Sequence, residues 1–177
     1  MKVDLQKAYD QVNWSFLREV LSRYGFHEIF INWIMQCVSS VSFSILINGG
    51  KIDYFKPSRG LRQGDPLSPY LFILCQEVLS RLIDRQFNSG AINGVKMNPS
   101  GPAFTHVMYA DDLMLFAKAT SREVLVLDDC LELYCQWSGQ LVNRDKSGII
   151  FSKLVSRERK RAITEELNMK TISDHAN

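Results

Sequence analysis

Two adjacent acids, Asp111 and Asp112, lie between the apolar runs Thr105–Tyr109 and Leu113–Lys118, and a third, Asp4, interrupts the apolar start Met1–Leu5. Neighbouring carboxylates repel. At about 4 Å and an effective dielectric near 20, two unit charges cost about 4 kcal/mol, which open water relieves and a cleft does not. A divalent cation reverses that sign. Hard oxygen donors suit Mg²⁺ (or Mn²⁺), which takes one or two carboxylates and fills its shell with waters and substrate phosphates. If Asp4 lies in a strand beside the Asp111-Asp112 turn, three acids can share two ions, an arrangement suited to phosphoryl transfer. A plainer reading stays open: Asp is a favoured turn residue, so a solvated hairpin loop would carry the same pair, and a solvent-facing strand would carry Asp4.

The elements that must position these acids follow from periodicity. Met1–Leu5 reads as a strand with Val3 and Leu5 on one face and Asp4 on the other. Trp14–Tyr24 and Ile29–Val38 carry apolar residues at helical spacing (Phe16, Val20 and Leu21; Trp33, Ile34 and Cys37) and predict two helices that pack together. Ser42–Asn48 alternates and meets Asn48-Gly49-Gly50, which predicts a hairpin returning through Lys51–Phe55. After the polar loop Lys56–Gly64, Asp65-Pro66 reads as an N-cap followed by a first-turn proline, opening a helix to about Phe87. Asn88–Pro102 is rich in Gly, Pro and Asn and reads as loop with one short strand at most. Thr105–Tyr109 and Leu113–Lys118 then form a second hairpin, with Ala110-Asp111-Asp112 at its tip. Thr120 and Glu123 suggest a capping box for a helix through about Trp137; Ser147–Ser152 reads as a strand and Ser156–Leu167 as a polar helix. This order predicts an α+β fold with a small, mainly antiparallel sheet packed on helices.

Composition narrows the options. The 177 residues are 46% hydrophobic and 23% charged, which suits one compact unit and excludes a disordered tail or a collagen-like rod. A formal net charge of +2 is too small to draw nucleic acid by bulk attraction, so such a partner needs a local patch. The longest apolar run, Tyr70–Cys75, falls far short of the ~20 residues that span a bilayer. Nor does Met1-Lys2-Val3-Asp4 open like a signal peptide, so no membrane partner and an intracellular, reducing setting are expected. Cys37, Cys75, Cys130 and Cys135 lack metal-ligand spacing and read as buried thiols. His27, His106 and His175 are scattered, and His106 in the strand before the acids reads as structural. Arg157–Arg161 has four basic residues in five; a solvated helix explains it, while nuclear import or phosphate contact stays open.

Four segments stand in order: K-V-D-L-Q-K-A-Y-D at Lys2–Asp10, R-G-L-R-Q-G-D-P-L-S-P-Y-L-F at Arg59–Phe72, Y-A-D-D at Tyr109–Asp112, and S-G-Q-L-V-N-R-D-K-S at Ser138–Ser147. Together they resemble the palm of a reverse transcriptase, most closely the non-LTR (LINE-type) retrotransposon group common in plants. The likeness runs from Met1 to about Ser152. It implies a palm-like domain over residues 1–152 without complete fingers or thumb, followed by a helix and polar tail over 153–177. It also implies RNA-directed DNA polymerase activity on a primed RNA or DNA template with deoxynucleoside triphosphates.

By that resemblance, Asp4, Asp111 and Asp112 are catalytic metal ligands for two Mg²⁺ or Mn²⁺ ions, Asp111 as principal ligand and Asp112 as support. Tyr9 matches the bulky aromatic beneath the incoming sugar, where it would clash with a 2′-hydroxyl. Gln63 and Gly64 match the loop that lies against the nascent base pair, and Arg62, with Arg59, would reach phosphates. Lys146 matches a lysine that protonates the leaving pyrophosphate. Asp10 matches a position of less certain role, with helix capping as the alternative. The first motif starts at residue 2, without the fingers region whose basic residues would meet template and triphosphate, so the chain alone is expected to polymerise weakly or not at all. The alternative function is a non-catalytic nucleic-acid-binding or interaction remnant of a retroelement. A metal-dependent nuclease would need a hydrolytic base that no motif supplies.

Overall fold

The computed structural model describes residues 1–172. The chain runs β1 (Lys2–Asp4), α1 (Ala8–Gln11), α2 (Trp14–Arg23), α3 (Glu28–Ser39), β2 (Leu46–Ile47) and β3 (Gly50–Lys51). It continues through α4 (Ser68–Asn88), β4 (Val95–Lys96), β5 (Ala103–Phe104), β6 (His106–Tyr109) and β7 (Asp112–Leu115). The last elements are α5 (Ser121–Ser138), β8 (Gly148–Ile149), α6 (Arg157–Leu167) and β9 (Lys170–Thr171). One five-stranded sheet, ordered β6-β7-β1-β8-β9, is antiparallel except for the parallel β8–β9 pair. Two further hairpins, β2–β3 and β4–β5, stand apart from it.

Strict alternation along β1 and on to Leu5, and along β7, puts Val3, Leu5, Leu113 and Leu115 into the core, where all are nearly inaccessible. Long helices α4 and α5 cover that face with Phe72, Cys75, Leu79, Leu127, Leu131 and Tyr134. Each such side chain contributes about 1.5–3 kcal/mol of transfer free energy, so the sheet's inner face is firmly seated. The opposite face stays open and carries the acids. A smaller cluster of Val124, Ile149, Ile163, Leu167 and Met169 fastens α6 onto α5, and β9 extends the sheet.

Several expectations shift. The helix predicted from Pro66 begins two residues later, because the Asp65 carboxylate accepts the Leu67 amide (2.9 Å) and closes a turn rather than capping a helix. The capping box is half made: Thr120 Oγ1 accepts the Glu123 amide (3.3 Å), but the Glu123 carboxylate turns to Asn93 and Lys118. The strand expected over Ser147–Ser152 shrinks to Gly148–Ile149. The polar tail expected from Lys170 opens with β9, while 173–177, including His175, lie outside the described residues. Cys37 is exposed rather than buried. Among the described residues, no helix is long and apolar enough to cross a membrane.

Candidate functional site

The register of β1 against β7 sets Asp4 directly opposite Asp112. Asp4 spends both its backbone groups on the other side: its amide donates to Ser147 Oγ (3.0 Å) and its carbonyl accepts from Asn143 N (2.9 Å). The Asp4–Asp112 pair is therefore a non-hydrogen-bonded one, the kind that brings opposed Cα atoms to about 4.5 Å and side chains closest. Like charges opposed in this way destabilise a sheet unless compensated. Lys2, two residues along the same face, supplies part of that compensation, its Nζ lying 3.4 Å from Asp112 Oδ1.

The tip of the acid-bearing hairpin differs from the expected three-residue turn. Tyr109 pairs with Asp112, leaving Ala110-Asp111 as a two-residue connection. Asp112 is thus a strand residue aimed with Asp4, and only Asp111 sits in the turn. Ala110 takes φ 52° while Asp111 stays negative, the φ pattern of a type II′ turn, whose first position ordinarily favours glycine. Among the described residues, no three His, Cys, Asp or Glu side chains stand together as a metal cluster. The structure assembles the carboxylate pair and leaves the third acid on the adjacent turn. Two opposed hard-oxygen donors fit a Mg²⁺ or Mn²⁺ that completes its shell from substrate and water.

The first and second motifs are stitched together around α1. Gly60 N donates to Val12 O (2.8 Å), Leu61 N to Tyr9 O (2.7 Å), and Trp14 Nε1 to Gly60 O (2.8 Å). At Gly60, φ is +95° and a Cβ would lie 2.7 Å from Asp10 O, so only glycine fits. Tyr9 stacks on Phe72 with ring centroids 4.6 Å apart. It lines a cavity of about 600 Å³ with Gln76, His106, Tyr109 and Ala110, immediately behind the acid-bearing turn. Gln63, Arg59 and Arg62 line a different cavity of about 550 Å³, which they share with Asp10 and Phe43. Gly64 has φ +84° with no protein atom near a would-be Cβ, so its backbone faces open space. Arg62 is already engaged by the Asp65 carboxylate. That contact, together with the Leu67 amide as the larger influence, holds Asp65 below the usual carboxylate range.

The last motif wraps beside β1. Gln140 Nε2 donates to Ala8 O (2.7 Å), Gln6 N to Leu141 O (2.8 Å) and Asn13 N to Ser138 O (2.8 Å). Ser138, Gln140 and Ser147 are buried, and Arg144 bridges Asp128 (2.8 Å) and the Leu167 carbonyl (3.0 Å). Much of this motif thus fixes the backbone that carries Asp4. Lys146 is exposed on the 143–147 loop clasping Asp4, its amide bonded to Asn143 Oδ1 (3.2 Å). His106 is hydrogen-bonded to Thr105 (2.9 Å) and Ser80 (2.8 Å), the structural role expected of it. Burial pushes the Cys75 thiol up to about 12 and those of Cys130 and Cys135 to about 11, which suits inert packing groups.

Sequence reasoning missed Gln76, Gly60 and Trp14. Gln76 had a signal: it is an amide inside the buried stripe Leu71, Phe72, Cys75, Leu79 of α4. It donates from Nε2 to the Ala110 carbonyl (2.6 Å). The contacts of Gly60 and Trp14 are non-local and leave no periodic trace.

Residues 1–169 match the family model described as reverse transcriptase (RNA-dependent DNA polymerase). An uncharacterised mitochondrial protein of Arabidopsis thaliana is 52% identical over 67 residues, covering 38% of this chain and 55% of that protein. A retrovirus-related Pol polyprotein from a type-2 retrotransposable element of Drosophila melanogaster is 31% identical over 145 residues, covering 81% of this chain and 13% of the polyprotein. In fold, apo telomerase from Candida tropicalis, truncated from its C-terminal domain, superposes with a TM-score of 0.61 at 17% identity, over 82% of this chain and 29% of that one.

Proposed function

Because the chain belongs to the reverse transcriptase family, we propose that it is a retrotransposon palm unit, centred on residues 1–152, that extends a primer 3′-hydroxyl with deoxynucleotides on an RNA or DNA template. The observation that carries this is the non-hydrogen-bonded pairing of Asp4 with Asp112 on the open face of the sheet, with Asp111 on the adjoining turn. A divalent ion held by Asp4 and Asp112, with Asp111 beside them, would supply charge neutralisation at the transferring phosphate and lower the pKa of an oxygen nucleophile.

The chain's own residues do the positioning. Tyr9, braced by Phe72, offers its ring edge to the sugar and disfavours a 2′-hydroxyl. Gln63 offers an amide, and the Gly64 backbone a close approach, to the nascent base pair. Lys146 donates a proton to the departing pyrophosphate. Arg62 reaches phosphate only by leaving Asp65. Lys2 is paired with Asp112 and Arg62 with Asp65, so each must give up an acid before it meets a triphosphate, and extension by this chain alone is weak.

The Lys2–Asp112 ion pair favours a second reading, a non-catalytic nucleic-acid-binding or interaction remnant of a retroelement in which that ammonium takes the place of a metal. Mn²⁺ titration followed by electron paramagnetic resonance separates the two. The polymerase reading expects saturable binding that Asp4→Asn and Asp112→Asn each reduce at least tenfold. Binding indifferent to both variants, or none, overturns it. Robust primer extension by the purified chain would instead contradict the weak-activity expectation.

A further inference from the structure

The geometry points to Gln76 of α4 as a positioning residue for the acid-bearing turn, an inference that rests on the proposed polymerase reading for its functional meaning. Gln76 is 4% exposed, and its Nε2 donates to the carbonyl of Ala110 at 2.6 Å. That carbonyl belongs to the peptide joining Ala110 to Asp111. Pinning it fixes the peptide plane, and with it the direction in which Asp111 leaves the turn and Asp112 enters β7.

Two features make the anchor necessary. Ala110 holds a left-handed φ of 52°, which an L-residue adopts only where its surroundings insist. The turn also projects beyond the ladder, since Tyr109–Asp112 is the last pair and Tyr109 itself is 82% exposed. Sheet pairing therefore does not hold the 110–111 peptide, whereas an amide fixed in the packed stripe of a 21-residue helix does. One turn along the same face of α4, Ser80 shares a hydrogen bond with His106 (2.8 Å), fastening β6 lower down. The two contacts divide the work: Ser80 ties the strand, Gln76 aims the turn. Since α4 starts just after Gln63-Gly64, whatever displaces its first half is transmitted to Asp111 through a single amide.

The test compares Gln76→Leu, which keeps bulk and removes the donor, with Ser80→Ala in the intact chain. Amide hydrogen exchange read residue by residue in metal-free protein should show Gln76→Leu accelerating exchange at least tenfold at 110–112, with the rest of the sheet within twofold. Ser80→Ala should move its largest effect to 105–107. Mn²⁺ affinity should fall at least fivefold for Gln76→Leu and stay within twofold for Ser80→Ala. Exchange raised uniformly across α4 and the sheet, or a turn no faster than wild type, would reduce Gln76 to a packing residue. Wild-type protein that binds no Mn²⁺ while the exchange pattern holds would sink the polymerase reading and keep the anchor.

Discussion

The acid-bearing sheet and the hairpin over Phe43–Phe55 are both made of very short strands, yet they are held in opposite ways. β1 has three residues, but its edges are bonded to β7, to Ser147 and to Asn143, and its inner side chains are wholly buried. The hairpin has the β2–β3 ladder, the Phe43–Phe55 bridge and a Ser44–Ile52 bond, while Ile45, Leu46, Ile47, Ile52, Tyr54 and Phe55 remain about half or more exposed. A lone two-stranded ribbon is marginal in water. Rigidity in this protein therefore comes from contacts outside the ladder, concentrated where two like charges must be held face to face.

The widest separation between the regions should come from truncating one leucine in each. Leu113→Ala beneath the acids opens a core cavity and should cost about 2–5 kcal/mol by urea denaturation, whereas Leu46→Ala should stay within about 0.5 kcal/mol. Equal losses would erase the distinction. The next contrast uses two glycines with similar positive φ. Gly60→Ala meets the Asp10 carbonyl as well as a strained φ and should cost about 2–4 kcal/mol. Gly49→Ala in the hairpin turn meets open space and should cost only about 1 kcal/mol.

Acid should separate the regions more gently. Burial raises the Glu123 carboxyl's pKa, but bonds from Asn93 and Lys118 outweigh that and leave it below the ordinary value. A depressed folded-state pKa adds stability above the unfolded value, about 4.5, and that stability is lost as pH falls through the folded one. Stability measured by denaturation between pH 6 and 3 should therefore fall, and Glu123→Gln should flatten the slope while leaving exchange in the hairpin unchanged. An unchanged slope would remove Glu123 from the account. The smallest effect concerns Lys2. Its pair with Asp112 is half exposed and worth under about 1 kcal/mol, so Lys2→Gln should raise Mn²⁺ affinity two- to fivefold by calorimetric titration; weaker binding would make Lys2 a supporter of the site rather than a competitor.

Much of this arrangement was legible in the residues. Alternation in Met1–Leu5 placed Val3 and Leu5 inward and Asp4 outward, and Asn48-Gly49 announced its turn through two positive φ values. The short span between the apolar runs gave the acid-bearing hairpin, but not whether two or three residues turn it. That single residue decides whether Asp112 points with Asp4 or away, because side-chain direction flips at each strand position. Asp65 was misplaced because the same carboxylate that caps a helix also closes a turn, and local sequence does not separate them. Gly60, Trp14 and Gln140 act through partners far away in the chain or around the packed core, and Glu123 was drawn from its cap by Asn93, thirty residues distant. Propensity carries no record of such contacts.

The central claim is that Asp4 and Asp112, opposed on the open face, take a divalent cation between them. Crystals of the chain grown with Mn²⁺ and measured at its absorption edge test this directly. The account predicts an anomalous peak within bonding distance of both carboxylates. A peak bound elsewhere, or density showing the Lys2 ammonium seated between the two acids in saturating Mn²⁺, would contradict it.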